Sequence, residues 1–96
     1  MSTEDGHPFD LDAAWGLAAQ VSIRPERFGA LLYHFGTRRL SFLKSPVLLE
    51  VLTGLAESPT ARDACARAGV PAAELPTFRT ALASLAASDM IRERTS

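Results

Sequence analysis

The sequence contains little cysteine and no long apolar segment. Cys65 is the single cysteine among 96 residues, which excludes an internal disulfide and a cysteine-rich metal site. No apolar run reaches the roughly 18 residues of a membrane span, and residues 1–10 are acidic where a signal peptide is basic. The formal net charge of −1 gives no general bias towards nucleic acid. We therefore expect one soluble, cytoplasmic domain that has no membrane partner.

The residue patterns that support catalysis are also missing. The chain has no glycine-rich phosphate loop and no metal-ligand spacing, and Ser41 lies outside any G-x-S-x-G context. His34 follows Tyr33 on an apolar strand, and Cys65 lies on the small-residue face of a predicted helix. Structural roles are favoured for both side chains. We expect a binding protein without a cofactor, and not an enzyme.

A β-hairpin over residues 28–46 is the feature around which the other elements are organised. Gly29–Phe35 is a dense aliphatic and aromatic run, as in a half-buried strand. Gly36 is predicted to supply the positive φ of the turn. Leu40–Leu43 then alternates between two faces. The hairpin should therefore contribute two of the strands of a sheet.

A first strand is predicted over Gln20–Arg24, with Leu17 as an alternative start and with Pro25 ending it or marking a sheet edge. Large apolar residues on a strand usually lie in the core, and that position is expected for Leu40 and Phe42. Three short antiparallel strands therefore fill the first half of the chain.

The second half has the period of helices. Ser45 is predicted to cap a helix that has Pro46 at its first position. A short second helix follows Thr60, and Gly69 lies just past its end. The apolar stripe of a third helix consists of Leu75, Phe78, Leu82 and Leu85.

These elements predict an α+β fold of the winged helix-turn-helix type, in which a three-stranded antiparallel sheet is followed by three helices. The domain is expected over residues 17–91. A partly disordered N-terminal tail, 1–16, and a polar tail, 92–96, would flank it.

The charges of the chain are unevenly distributed. Residues 1–20 contain four acids and no base, whereas residues 24–44 contain five bases and one acid, a net +4. Two interpretations remain open: solvated turns and strand ends, or a docking surface for an acidic partner.

The segment VSIRPERFGALLYHFGTRRLSFLKSP, from Val21 to Pro46, resembles the RiPP recognition elements, a family of small PqqD-like peptide chaperones. The run DACARAGV, from Asp63 to Val70, extends the resemblance more loosely. Within the family, the likeness is greatest to the chaperones of mycofactocin biosynthesis. The resemblance implies that the chain binds the leader of a ribosomally made precursor peptide and presents it to a radical-SAM maturase.

In that family the leader adds as a strand to the edge of the third strand and lies in a groove against the third helix. The resemblance therefore implies a peptide-binding site with a strand side and a helix side. On the strand side are Arg38, Arg39, Leu40, Ser41, Phe42, Leu43 and Lys44, and on the helix side are Phe78, Arg79, Leu82 and Ala86. For Phe78 and for Leu82, a place in the core and a place in the groove are both open, since the apolar stripe of one helix can face both.

Two rival functions use the same elements. A DNA-binding winged helix would read bases with Leu75–Ser88, but that stretch has only Arg79 as a base and no Lys, Asn or Gln. No nucleic-acid partner is therefore expected. The second rival is a dimerisation module that uses the same sheet edge.

Overall fold

The computed structural model describes residues 9–94, and the disorder expected for Met1–Pro8 lies outside this part. The described chain is mixed α+β, as predicted. The strands are β1 (Trp15–Leu17), β2 (Val21–Glu26), β3 (Gly29–His34), β4 (Arg39–Leu43) and β5 (Ile91–Glu93). The helices are α1 (Pro46–Gly54), α2 (Ala61–Arg67) and α3 (Leu75–Ala87), with single 3₁₀ turns at Leu55–Glu57 and Ala72–Glu74.

β2, β3 and β4 form the predicted three-stranded antiparallel sheet, in that order. β2 continues to Glu26 and includes Pro25, so the predicted end at Arg24 is wrong. The alternative reading of this proline as the mark of a sheet edge is confirmed, because β2 is an edge strand. The three strands are five or six residues long, and the helices that follow pack against one face of the sheet.

The turn of the β3–β4 hairpin differs from the prediction. It occupies residues 35–38, and the residue with positive φ is Arg38, at 63°, rather than Gly36. The Nδ1 atom of the buried His34 accepts hydrogen bonds from the N–H groups of Gly36 and Thr37, at 3.0 and 3.1 Å. A side chain therefore organises this turn, and His34 has the structural role that the sequence favours.

A second sheet, which the sequence analysis did not predict, joins the two ends of the described chain. β1 pairs with β5 in antiparallel register, with Leu17 opposite Ile91. Phe9 is buried and stacks on Trp15 with ring centroids 4.2 Å apart. Ordered structure thus extends on both sides of the predicted limits of 17 and 91. Strands of three residues are too short to show a period in the sequence.

The helices begin and end at the residues that the sequence indicates. The Ser45 Oγ accepts a hydrogen bond from the N–H of Leu48 at 3.1 Å, and Gly69 follows α2 with φ of +86°. Pro76 lies in the first turn of α3, where a missing N–H costs nothing. Within residues 9–94, no helix is both long and apolar enough to cross a membrane.

The core lies between the three helices and one face of the β2–β3–β4 sheet. This inner face presents Ala30, Leu32 and Leu43, which are all buried. The helices contribute buried leucines, valine, alanine and cysteine: Leu48, Val51, Leu52, Leu55, Ala61, Ala64, Cys65, Leu82 and Leu85. The opposite face of the sheet is left to solvent.

Candidate functional site

β4 is an edge strand, because β3 is its only partner among the described residues. The N–H of Phe35 donates to the carbonyl of Gln20 at 2.8 Å, so these opposed residues form a hydrogen-bonded pair between β2 and β3. Hydrogen-bonded and non-bonded pairs alternate along an antiparallel ladder. Odd-numbered residues of β3 therefore bond to β2, and even-numbered ones bond to β4.

The register then defines which main-chain groups of β4 remain available. His34, Leu32 and Ala30 lie opposite Arg39, Ser41 and Leu43, which consequently turn their N–H and C=O groups towards β3. Leu40 and Phe42 turn theirs to the open edge. Within residues 9–94, neither N–H has an acceptor. The open edge thus offers two N–H and two C=O groups in the alternation that an added strand requires.

The side chains of Leu40 and Phe42 are not in the core, contrary to the expectation from the sequence. Their exposures are 62% and 52%, whereas Leu43 is buried and Ser41 is half-buried. The predicted alternation is correct, but the face that lies towards the core is that of Ser41 and Leu43, and not that of Leu40 and Phe42. Among the described residues, α1 packs against β3 and β4 on the inner face, and no helix covers the outer one.

An apolar groove lies beyond the end of β4, between the start of α1 and the first half of α3. Its cavity volume is about 360 Å³. It is lined by Ser45, Val47, Leu48, Gly69, Val70, Pro71, Glu74, Thr77, Phe78 and Ala81. Of these residues the sequence reasoning had named only Phe78 as part of a groove. Thr77 and Ala81 also line the groove, and their spacing of four residues, which places them on one helix face, could have indicated this.

The four predicted groove residues of α3 do not lie together. Phe78 is half-buried and lines the groove, but Leu82 is fully buried in the core. Arg79 and Ala86 line two shallow cavities on the opposite side of α3, beside Phe9. Residues 78 and 79 diverge because successive positions on a helix are about 100° apart.

The bases around the hairpin are exposed. The ion pair that joins described residues is Arg62–Asp12, at 2.8 Å, which leaves Arg38, Arg39 and Lys44 without a carboxylate partner in residues 9–94. Glu74 is the one acidic residue that lines the groove. The edge of β4 therefore lies in a positive local field, which favours acidic ligands.

Cys65 has a structural position. It is fully buried on α2, and burial raises the pKa of its thiol, with a smaller opposing effect from Arg62. The thiol therefore stays protonated at neutral pH, and a protonated thiol is a poor nucleophile. The candidate site therefore consists of the free main-chain groups of β4, the apolar side chains of the groove and the bases around the hairpin.

An open strand edge beside an apolar groove is the arrangement used by domains that bind extended peptides. Comparison with known proteins agrees with this class. The model of the "Peptide chaperone MftB family" matches residues 14–92, and the chain belongs to that family.

Three relatives are each named "Peptide chaperone MftB". The protein from Mycobacterium ulcerans is 54% identical over 86% of this chain and 76% of its own length. That from Mycobacterium tuberculosis is 50% identical over 94% of this chain and 83% of its own. That from Mycolicibacterium smegmatis is 51% identical over 86% and 81%. No solved structure matches the chain significantly.

Proposed function

We propose that this chain is a cytoplasmic peptide chaperone of mycofactocin biosynthesis. It binds the leader of a ribosomally made precursor peptide as an added strand on β4 and presents that peptide to a radical-SAM maturase. The observation that carries the proposal is the pair of outward main-chain positions, Leu40 and Phe42, on an edge without a strand partner among the described residues. The names of the relatives support peptide binding.

The surroundings of the edge support an acidic, partly apolar leader. A peptide that continues past Leu43 reaches the groove, where Val47, Val70 and Phe78 offer apolar contact. Arg39 and Lys44 bracket the strand and attract carboxylates. Main-chain bonds supply affinity in this binding mode, and side-chain pockets supply specificity.

Proline substitution at an outward position is the direct test. Phe42→Pro removes one free N–H and leaves the bonds to β3 in place, whereas Phe42→Ala keeps that N–H and removes the side chain. We expect Phe42→Pro to bind the leader about fivefold more weakly than Phe42→Ala, since a main-chain hydrogen bond contributes about 1 kcal/mol net. The measurement is titration calorimetry with a synthetic mycofactocin precursor peptide, after circular dichroism has shown both variants folded.

A second outward position provides the matched replicate. Leu40→Pro and Leu40→Ala should differ in the same direction, and wild-type binding should weaken as salt rises because bases surround the edge. If both proline variants bind as tightly as their alanine controls, strand addition on β4 is wrong. If the wild type gives no heat at tens of micromolar, leader binding itself is wrong.

We also propose that α2, the turn at Gly69 and α3 form a helix-turn-helix unit, with the sheet as its wing. This unit would serve peptide binding and not DNA reading. The helix that would enter a groove of DNA has Arg79 as its one base, and that side chain is half-buried. A gel shift with mixed duplex DNA at physiological salt should show no complex, and a specific shift would favour a regulator.

A further inference from the structure

The outer face of the three-stranded sheet has an apolar surface that is separate from the core. Leu31 lies opposite Phe42 and Tyr33 lies opposite Leu40, so the four side chains form two adjacent rows on this face. The ring of Phe35, which is 59% exposed, contacts Tyr33 edge-on with centroids 5.2 Å apart. We call these five residues the outer apolar face.

Bases surround the outer apolar face on several sides. Arg24 lies opposite Leu31 on β2 and therefore continues the row that ends at Phe42. Arg38 ends the hairpin turn that follows Phe35, and Lys44 follows β4. An exposed apolar patch with a charged rim is a mark of an interaction site.

We propose that the outer apolar face docks the maturase, the enzyme that modifies the bound peptide, through a surface that is apolar at its centre and acidic at its rim. This inference rests on the proposed function, because it takes the identity of the partner from it. The free main-chain groups of Leu40 and Phe42 point sideways in the plane of the sheet, whereas the side chains of the outer apolar face stand perpendicular to that plane. The edge can therefore hold a peptide while the face holds the enzyme, as presentation requires.

Charge argues against a second copy of this chain as the occupant. Two outer faces in contact would bring both sets of bases together, and like charges at an interface cost binding energy. Composition argues for a protein surface and against a lipid bilayer. The bases within residues 24–44 are four arginines and one lysine, beside tyrosine and phenylalanine rings. Tyr, Phe and Arg are the residues enriched at protein interfaces, where Lys is depleted.

Two variants of the full chain test the face without touching the β4 edge. Leu31→Thr removes an apolar side chain from β3 and keeps strand propensity. Arg24→Glu reverses a charge on β2, two strands from β4 and hence about 10 Å away. Arg92→Glu makes the same charge change on the exposed part of β5, in the other sheet, and is the matched control.

The readouts are affinities for a purified mycofactocin radical-SAM enzyme, by biolayer interferometry, and for the synthetic leader, by calorimetry. We expect Leu31→Thr and Arg24→Glu each to weaken enzyme binding about tenfold. Arg92→Glu should bind the enzyme as the wild type does. Leader affinity should change less than about twofold in all three, because Arg24 is about a Debye length from the edge.

The outcomes separate this inference from the proposed function. If the wild type binds leader and enzyme and both face variants keep the wild-type affinity for the enzyme, the inference is wrong and the proposed function stands. If the wild type binds the leader but not the enzyme, the inference and the presentation step are both wrong, and leader binding by strand addition stands. Enzyme binding that depends on the face without any leader binding supports the inference and refutes strand addition. The inference is also wrong if Leu31→Thr abolishes self-association seen in sedimentation runs, because the occupant is then a second copy of the chain. It is wrong as well if Leu31→Thr abolishes binding to phosphatidylserine vesicles, because the occupant is then a membrane.

Discussion

The two edges of the three-stranded sheet differ in what they offer to another chain. On β4, Leu40 and Phe42 both turn a free N–H outward. On β2, the outward positions are Val21, Ile23 and Pro25; the N–H of Val21 donates to Ala18 at 3.1 Å, and proline has none. One edge is thus blunted, as natural edge strands usually are, and the other is left available. The difference teaches that, within residues 9–94, β4 is the edge of this sheet with consecutive outward N–H groups for a further strand.

The largest expected effect is a loss of stability at β3, the strand that pairs with both edge strands. Leu32 is fully buried at the centre of β3, and Leu32→Ala should lower the free energy of unfolding by about 3 kcal/mol, through lost burial and the cavity left behind. Leu40→Ala removes the same atoms from an exposed position and should change stability by less than about 0.5 kcal/mol. Urea denaturation measures both. Equal losses would mean that the outer face is as well packed as the inner one.

The next effect separates inward from outward positions on one strand. Ser41→Pro removes an N–H that bonds to Leu32 and leaves its carbonyl without a donor, which should cost about 1–3 kcal/mol of stability. Phe42→Pro alters only the free edge and should cost less than about 1 kcal/mol. Thermal melts followed by circular dichroism measure the difference. Similar melting temperatures would show that the hydrogen-bond alternation derived for β4 is out of phase.

A smaller effect should appear when the blunted edge is opened. Pro25→Thr restores an outward N–H on β2 next to that of Ile23, so a second open edge forms. We expect weak self-association at the highest protein concentrations, because an open edge is a template for another strand. Sedimentation velocity measures this. A variant that stays monomeric throughout would indicate that proline is not what closes the β2 edge.

The smallest effect lies far from either edge and serves as a baseline. The hydrogen bond and charge of Arg62 lower the pKa of Asp12 below its usual 3.8. A lowered folded-state pKa stabilises the fold above the unfolded pKa, and this contribution disappears as the pH falls through the folded value. Both side chains are largely exposed, so the wild type should melt only slightly above Asp12→Asn at pH 7, and the two should converge below about pH 3.8. A gap that persists in acid would contradict this assignment.

The sequence predicted the elements of the fold well because each has local signals. Ser45 with Pro46, Gly69, and the apolar stripe of α3 specify helix boundaries through caps and period. The β1–β5 sheet escaped prediction because its partners are far apart in sequence and only three residues long. The turn was mispredicted because His34 stabilises it, and that lets Arg38 take a φ usually left to glycine.

The candidate site was harder to predict than the fold. The strand was identified, but its available groups depend on the register with β3, which no local pattern encodes. The sequence correctly alternated Leu40 and Phe42 against Ser41 and Leu43, yet could not tell which set the helices cover. The residues on the helix side depend on how α3 is rotated against α1, which the sequence does not encode locally; Thr77 lines the groove and Arg79 lies on another side of the helix.

Trp15 has a consequence for how this chain can be joined to other molecules. Phe9 stacks on its ring, and the Nε of Arg94 donates to its carbonyl at 2.8 Å, so both ends of the described chain meet at one residue of the β1–β5 sheet. The chain that leaves the described residues at Phe9 and at Arg94 therefore starts from nearly the same point, on a different sheet from β4. A label or a fused enzyme would gain a high effective concentration near the bound peptide without occupying its edge.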